Sequence, residues 1–200
     1  MLKILFATTN PGKIRELQEV FSGMSVEILS IKDFNNHLPH KFEAIESGKT
    51  FIDNAEIKSK TYGEKLNILT VADDSGLEVK ALDGRPGVFS KRYGNSDEER
   101  NRRLLNELQE VPKSNRTARF VCALSLYDPN NRKCHTVEGI MQGKISYSIQ
   151  GAQGFGYDPI FINETGKTNA EISLQKKNQI SHRGKAFRKL KIYIQKNYKI

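Results

Sequence analysis

Cysteine is nearly absent: Cys122 and Cys134 are the only two in 200 residues, and they lie too far apart for a CxxC pair. A disulfide-stapled scaffold and a CxxC redox or zinc motif are thereby excluded. Long apolar runs are lacking as well. The opening Leu2–Ala7 stretch turns polar at once and is far too short for an export signal or a membrane span, so it reads as a buried strand. No internal repeat, low-complexity tract or Pro/Gly/Ser-rich linker divides the chain. One domain over residues 1–200 is the economical expectation, with the cytoplasm as its compartment. The phosphate-binding signature GxxxxGKS/T is also missing, so any grip on phosphate has to be built differently.

With 37% hydrophobic and 28% charged residues, the chain can bury a sizeable core without metal or disulfide staples, about 70% of its unfolded surface. Its formal net charge of +9 makes an anionic partner the expectation; nucleic acid, a membrane surface and a polyphosphate metabolite all qualify. Much of the excess sits in the tail, where Lys185, Arg188, Lys189, Lys191, Lys196 and Lys199 decorate an expected helix and read as a solvated face. Charge therefore constrains the ligand type and nothing finer.

Strands and helices alternate early. Lys3–Thr8 predicts a strand, and Asn10-Pro11-Gly12 delivers the chain into a helix with the apolar stripe Ile14, Leu17, Val20 and Phe21, capped by Asn10 with Pro11 at the first position. A second helix is expected over Phe51–Leu66. A buried strand over Ile68–Ala72 then breaks at Asp73-Asp74-Ser75-Gly76 before resuming at Leu77–Leu82. Ser96 with Glu99 predicts a capping box for a helix through Leu108. Arg119–Tyr127 and Cys134–Ile145 are β-like and joined by the turn signal Asp128-Pro129-Asn130-Asn131, and a last helix from near Arg183 turns Phe187, Leu190 and Ile194 inward. The fold class is α/β, a twisted mixed sheet flanked by helices.

Four segments can carry chemistry. In Thr8-Thr9-Asn10-Pro11-Gly12-Lys13, a strand-to-helix turn presents backbone N–H groups and a helix dipole to an anion, with Lys13 adding charge; Asn-Pro-Gly by itself is equally a common loop. Glu46, Asp73 and Asp74 supply hard oxygen ligands of the kind Mg²⁺ takes, with Lys58 as a phosphate counter-charge, although Asp-Asp-Ser-Gly also reads as a capped turn. In Gly154-Phe155-Gly156-Tyr157-Asp158-Pro159, Phe155 or Tyr157 could cover a flat ligand and Asp158 could accept hydrogen bonds from its edge; a tight turn with core aromatics is the plain alternative. Lys177 with Ser181-His182-Arg183-Gly184 forms a donor cluster ahead of the final helix.

In this order the segments resemble the inosine triphosphate pyrophosphatase family, which hydrolyses deaminated purine triphosphates such as ITP, dITP and XTP. Also matching are Phe51-Ile52-Asp53-Asn54-Ala55, Ala72–Leu77, and Gly84-Arg85-Pro86-Gly87-Val88-Phe89-Ser90 with Arg92-Tyr93, so the likeness spans almost the whole chain. The resemblance implies a long mixed sheet with two lobes around an active-site cleft, a homodimer, Mg²⁺, and cleavage between the α and β phosphates to a monophosphate and pyrophosphate. It also implies residue roles. Glu46 and Asp74 bind metal, and Asp74 is the proton acceptor. Thr8, Thr9, Asn10, Pro11, Gly12, Lys13, Lys58, Ser75, Phe155, Gly156, Tyr157, Asp158, Lys177, His182 and Arg183 contact the purine nucleoside triphosphate. Phe89 stands where many relatives carry Tyr, and Lys91 occupies a variable position. Two rivals remain: a Maf-type nucleotide pyrophosphatase, which the Phe155–Asp158 and Ser181–Arg183 segments disfavour, and a basic nucleic-acid-binding module, against which the carboxylates and the missing binding motif count. No stable nucleic-acid or membrane partner is expected.

Overall fold

Alternation along the first strand sets the layering. In β1 (Leu2–Phe6), Ile4 and Phe6 enter one apolar cluster while Leu5 enters another, as the two-residue period of a strand buried on both faces requires. The computed structural model describes residues 1–34, 37–39 and 42–199. Six strands order as β2-β1-β3-β4-β5-β6, with β2 (Val26–Ser30), β3 (Thr70–Val79), β4 (Thr117–Asp128), β5 (Lys133–Ile145) and β6 (Phe161–Ile162). β1 runs parallel to both β2 and β3, in register Leu2↔Val26 and Leu5↔Thr70, whereas β6 pairs antiparallel with β5, so the sheet is mixed.

Five helices accompany it among the described residues: α1 (Pro11–Phe21), α2 (Phe51–Leu66), α3 (Asp97–Glu107), α4 (Leu174–Ile180) and α5 (His182–Asn197). None is long and apolar enough to cross a membrane. The residues divide into two compact units. One comprises Met1–Asp74, Cys122–Gly139 and Gly184–Ile200, the other Ser75–Val121 and Ile140–Arg183. In the first, Ile4, Phe6 and Val71 pack with Leu17 and Phe21 of α1 and with Phe187, Leu190 and Ile194 of α5; Leu5, Ala7 and Ala72 pack with Tyr62 of α2. In the second, Leu104 and Leu108 cover Leu77, Val79, Phe120, Tyr157 and Phe161. Neither cysteine forms a disulfide.

Three expectations need correction. The Asp73-Asp74-Ser75-Gly76 run does not interrupt β3, because the flanking Val71, Ala72, Leu77 and Val79 are all core residues and their burial overrides local turn preference. At α3 only half of the capping box forms: Ser96 Oγ accepts the Glu99 N–H at 3.1 Å, but the Glu99 carboxylate accepts from Asn95 N instead of Ser96 N. Lys177 is not part of a polar lead-in; it lies inside α4 and is buried. Both ends of the β4–β5 turn agree with the sequence reading, with Asp128 Oδ1 accepting from Asn130 N at 2.9 Å.

Phe187 is fully buried and meets Phe6 edge-on, ring centroids 5.9 Å apart. Phe187→Ala should therefore cost about 3–5 kcal/mol in urea unfolding with an unchanged m value; a loss below about 1 kcal/mol would show that this cluster does not hold α5 in place.

Candidate functional site

The two-residue period continues past the hydrophobic part of β3. Val71 faces the α1 side and Ala72 the α2 side, so Asp73 and Asp74, next in line, reach partners on different helices. Asp73, 1% exposed, accepts from Lys13 Nζ of α1 at 2.7 Å. The half-buried Asp74 accepts from Asn54 Nδ2 of α2 at 3.0 Å. Lys58, also on α2, pairs with Glu46 and donates to the Asp73 backbone carbonyl at 2.9 Å. Glu46, Asp73, Asp74, Lys13 and Lys58 are thus gathered. The two ammonium groups rest on carboxylates.

Desolvation is the largest influence on Asp74 and raises its pKa to about 6; the Asn54 hydrogen bond and the Lys58 charge oppose the rise, while Glu46 and Asp73 add to it. Burial pulls the Lys58 pKa down, but Asp73, Glu46 and Asp74 together outweigh that and leave it raised. The half-buried carboxyl is therefore poised near neutrality beside a fixed positive charge, which suits a general base. As a metal site, the cluster offers hard carboxylate oxygens from Glu46 and Asp74. Among the described residues no three His, Cys, Asp or Glu side chains form a cage. That donor set fits Mg²⁺, which is held by one or two carboxylates and completes its octahedron with water and phosphate.

The turn before α1 departs from the simple anion cradle. Asn10 Oδ1 already accepts from Gly12 N at 2.8 Å and from Lys13 N at 3.4 Å, and Thr8 Oγ1 accepts from Asn10 N at 3.2 Å. The N-cap competes for the N–H groups of Gly12 and Lys13, so the turn can offer an anion the helix dipole and the Thr8, Thr9 and Lys13 side chains rather than those two amides.

The second unit holds the other group of candidates. Asp158, 3% exposed, accepts from Lys177 Nζ at 2.6 Å, Phe155 N at 2.9 Å and Asn169 Nδ2 at 3.2 Å. Gly154 has φ +81° and its missing Cβ would fall 2.2 Å from Asp158 Oδ2, so glycine is needed there both for conformation and for space. Gly156 is anchored to the first turns of α3, its N–H on Asp97 Oδ2 at 2.7 Å and its carbonyl on Asn101 Nδ2 at 3.0 Å. Of the two aromatics, Tyr157 is core, its hydroxyl donating to Ser90 O at 2.8 Å, whereas Phe155 is 43% exposed. The Phe155 ring sits 4.7 Å from Lys177 Nζ and 5.6 Å from Arg183 Cζ, a cation–π pair that leaves it able to stack on a flat ligand. His182 is buried and stacks on Phe120 with ring centroids 4.8 Å apart. Ser75 follows Asp74 in β3.

Sequence reasoning offered Asp73 as a carboxylate ligand but assigned no role to Asn54, which it met only within the Phe51–Ala55 stretch, and did not single out Asn169, Asp97 or Asn101. All four act through contacts distant in sequence, which local pattern does not reveal.

Paired carboxylates with two ammonium groups, set in β3 just past the residues that pair parallel with β1, mark an α/β protein suited to a phosphate-bearing anion. The family is equally clear: residues 4–193 match the model of the Ham1 family, and the chain belongs to it. It is 44% identical over 192 residues to a dITP/XTP pyrophosphatase of Desulforamulus reducens, covering 94% of this chain and 93% of that protein. With a dITP/XTP pyrophosphatase of Geobacter sulfurreducens it shares 43% over 198 residues, 97% of each. Among solved structures, a HAM1 protein from Coxiella burnetii superimposes with TM-score 0.88 at 35% identity, over 98% of this chain and 100% of that one. The Ham1 protein of Staphylococcus aureus gives 0.87 at 37%, over 97% and 98%.

Because the Asp74 pKa is raised, the folded protein keeps a proton that the unfolded chain, with an ordinary carboxyl at 3.8, has already released. The associated stability is complete below 3.8 and is lost as the pH climbs through about 6. Carboxyl-carbon NMR of the metal-free protein should give a midpoint near 6 for Asp74, and Asp74→Asn should remove this part of the pH dependence of unfolding; a midpoint at the ordinary aspartate value would contradict the burial argument.

Proposed function

We propose that this chain hydrolyses non-standard purine nucleoside triphosphates, ITP, dITP and XTP, to the monophosphate and pyrophosphate, and so clears them from the nucleotide pool. The observation that carries the reading is Asp74: a carboxyl with its pKa near 6, hydrogen-bonded by Asn54 and flanked by Glu46, Asp73 and Lys58. Relatives named dITP/XTP pyrophosphatase, similar over nearly their full length, support the substrate class.

Water is a weak nucleophile and the phosphate chain repels electron-rich attackers, so the reaction needs a positioned base and cancelled charge. Ionised Asp74 accepts a proton from a water molecule. The water oxygen forms the new bond to the α phosphorus, and the bond from that phosphorus to the α–β bridging oxygen breaks, its electron pair leaving with pyrophosphate. Lys13 and Lys58 place positive charge beside the phosphates, which supplies orientation and electrostatic stabilisation together. Mg²⁺, held by Glu46 and Asp74, would add Lewis-acid polarisation and neutralise the leaving group. The exposed Phe155 face would stack on the base. Asp158 and Lys177 hold each other and set the loop that carries Phe155, and Arg183 or nearby backbone would donate to the 6-oxo group. Adenine presents a donor at that position, leaving the site's own donor unpaired, a mismatch of the kind that discriminates by roughly four to five orders of magnitude. The likeness to the inosine triphosphate pyrophosphatases supports a cytoplasmic homodimer as the working form.

Incubation with ITP, XTP, GTP and ATP in the presence of Mg²⁺ should convert ITP and XTP to monophosphate and pyrophosphate in preference to the other two; diphosphate with free phosphate, or no preference, overturns the reading. Asp74→Asn keeps the shape and removes the base. Turnover should fall on the order of a hundredfold or more while the variant stays folded, and near-normal turnover would remove Asp74 from the mechanism.

A further inference from the structure

One face of α2 carries three side chains at a spacing of four residues, Asn54, Lys58 and Tyr62, and each fastens a different point of the segment that precedes the helix. Asn54 Oδ1 accepts from Gly48 N at 2.8 Å, Lys58 pairs with Glu46, and Tyr62 donates to Phe42 O at 3.2 Å with the two rings edge-on at 5.3 Å. The segment holding Glu46 is thus tacked along the helix, residue by residue, at the helical repeat. Two of the anchors also reach β3: Asn54 Nδ2 donates to Asp74 Oδ2 at 3.0 Å, and Lys58 donates to Asp73 O at 2.9 Å.

We propose that Asn54 is the positioning residue of the reaction centre, the group that sets where the Glu46 segment stands relative to the Asp74 carboxylate. Its chemistry admits few substitutes. One partner is an amide N–H and the other a carboxylate oxygen, so the side chain has to present an acceptor to Gly48 and a donor to Asp74, and only one orientation of the amide does both. The residue is 1% exposed inside a helix, where asparagine is a poor former, so neither solvation nor helix preference accounts for it. Gly48 answers it from the other side: a Cβ there would lie 2.5 Å from Asp53 Cβ and 2.8 Å from Asn54 Oδ1, so the segment is pressed directly onto the first turn of α2. Groups of this kind, behind the ligating oxygens, are worth about 10- to 100-fold in cation affinity or activity.

The inference rests on the proposed roles of Glu46 and Asp74, and its test is read in two ways. Asn54→Asp keeps the shape and the bond from Gly48 but replaces the donor facing Asp74 with an acceptor; Gly48→Ala keeps asparagine at position 54 but pushes the segment away from it. Mn²⁺ binding, followed by the EPR signal of the free ion, and steady-state hydrolysis of ITP are measured on both variants and on the parent chain, below the melting temperature of each. Asn54→Asp and Gly48→Ala should each weaken Mn²⁺ binding and lower kcat about 10- to 100-fold, with KM changing less than about threefold. A purely structural role for Asn54 would lower the melting temperature and leave kcat of the folded protein intact, and parent-like Mn²⁺ affinity and kcat in folded Asn54→Asp would overturn the proposal. A parent chain that binds Mn²⁺ but leaves ITP intact would defeat the proposed function alone, with Asn54 then judged by the Mn²⁺ affinities.

Discussion

Carboxylates repel one another and resist leaving water, yet β3 carries two in succession with a third, Glu46, close enough to act on Asp74. Everything around them answers that constraint. Strand alternation sends Asp73 towards Lys13 on one side and Asp74 towards Asn54 on the other, so each negative group receives a partner of its own and the two are kept apart by the sheet. The compensation is unequal. Asp73 has an ammonium at 2.7 Å, whereas Asp74 accepts from a neutral amide at 3.0 Å, and burial raises the Asp74 pKa to about 6. The two neighbouring aspartates are thus held differently, one by an ion pair and the other by an amide donor.

The scaffold makes the arrangement possible through ordinary means. Ile4, Phe6 and Val71 lock α1 and α5 to one face of the strands; Leu5, Ala7 and Ala72 seat α2 on the other. Thr50 and Asp53 then close a capping box at the start of α2, with Thr50 Oγ1 accepting from Asp53 N at 3.1 Å and Asp53 Oδ2 from Thr50 N at 3.0 Å, which fixes the turn next to Asn54. In the second unit a comparable economy holds the exposed Phe155: one buried carboxylate, Asp158, gathers Lys177, Asn169 and the Phe155 amide, so the loop is set from beneath.

Much of this was legible in the sequence where periodicity or cap chemistry spoke locally. Asn10 and Pro11 opened α1 as expected, and Phe51–Leu66 formed α2 to the residue. Phe187, Leu190 and Ile194 turned inward on α5. What stayed hidden was non-local. Asp-Asp-Ser-Gly resembles a turn until the core on both sides of it is known, and β3 runs straight through. Short α4 gave too few turns for a stripe to show, so Lys177 read as part of a polar donor cluster ahead of the last helix when it is buried on Asp158 within α4. Asn54 stood in the matching Phe51–Ala55 stretch without a role, because its significance lies in Gly48 and Asp74, six residues before it and twenty after. Motif resemblance nominated Glu46 and Asp74; it did not show which side chains hold them in place.

The account stands or falls on where water enters the substrate. ITP hydrolysed by the Mg²⁺-supplied protein in water enriched in oxygen-18 should yield labelled monophosphate and unlabelled pyrophosphate, because Asp74 is assigned to activate water for attack on the α phosphorus. Label in the pyrophosphate would place the attack on the β phosphorus and contradict it.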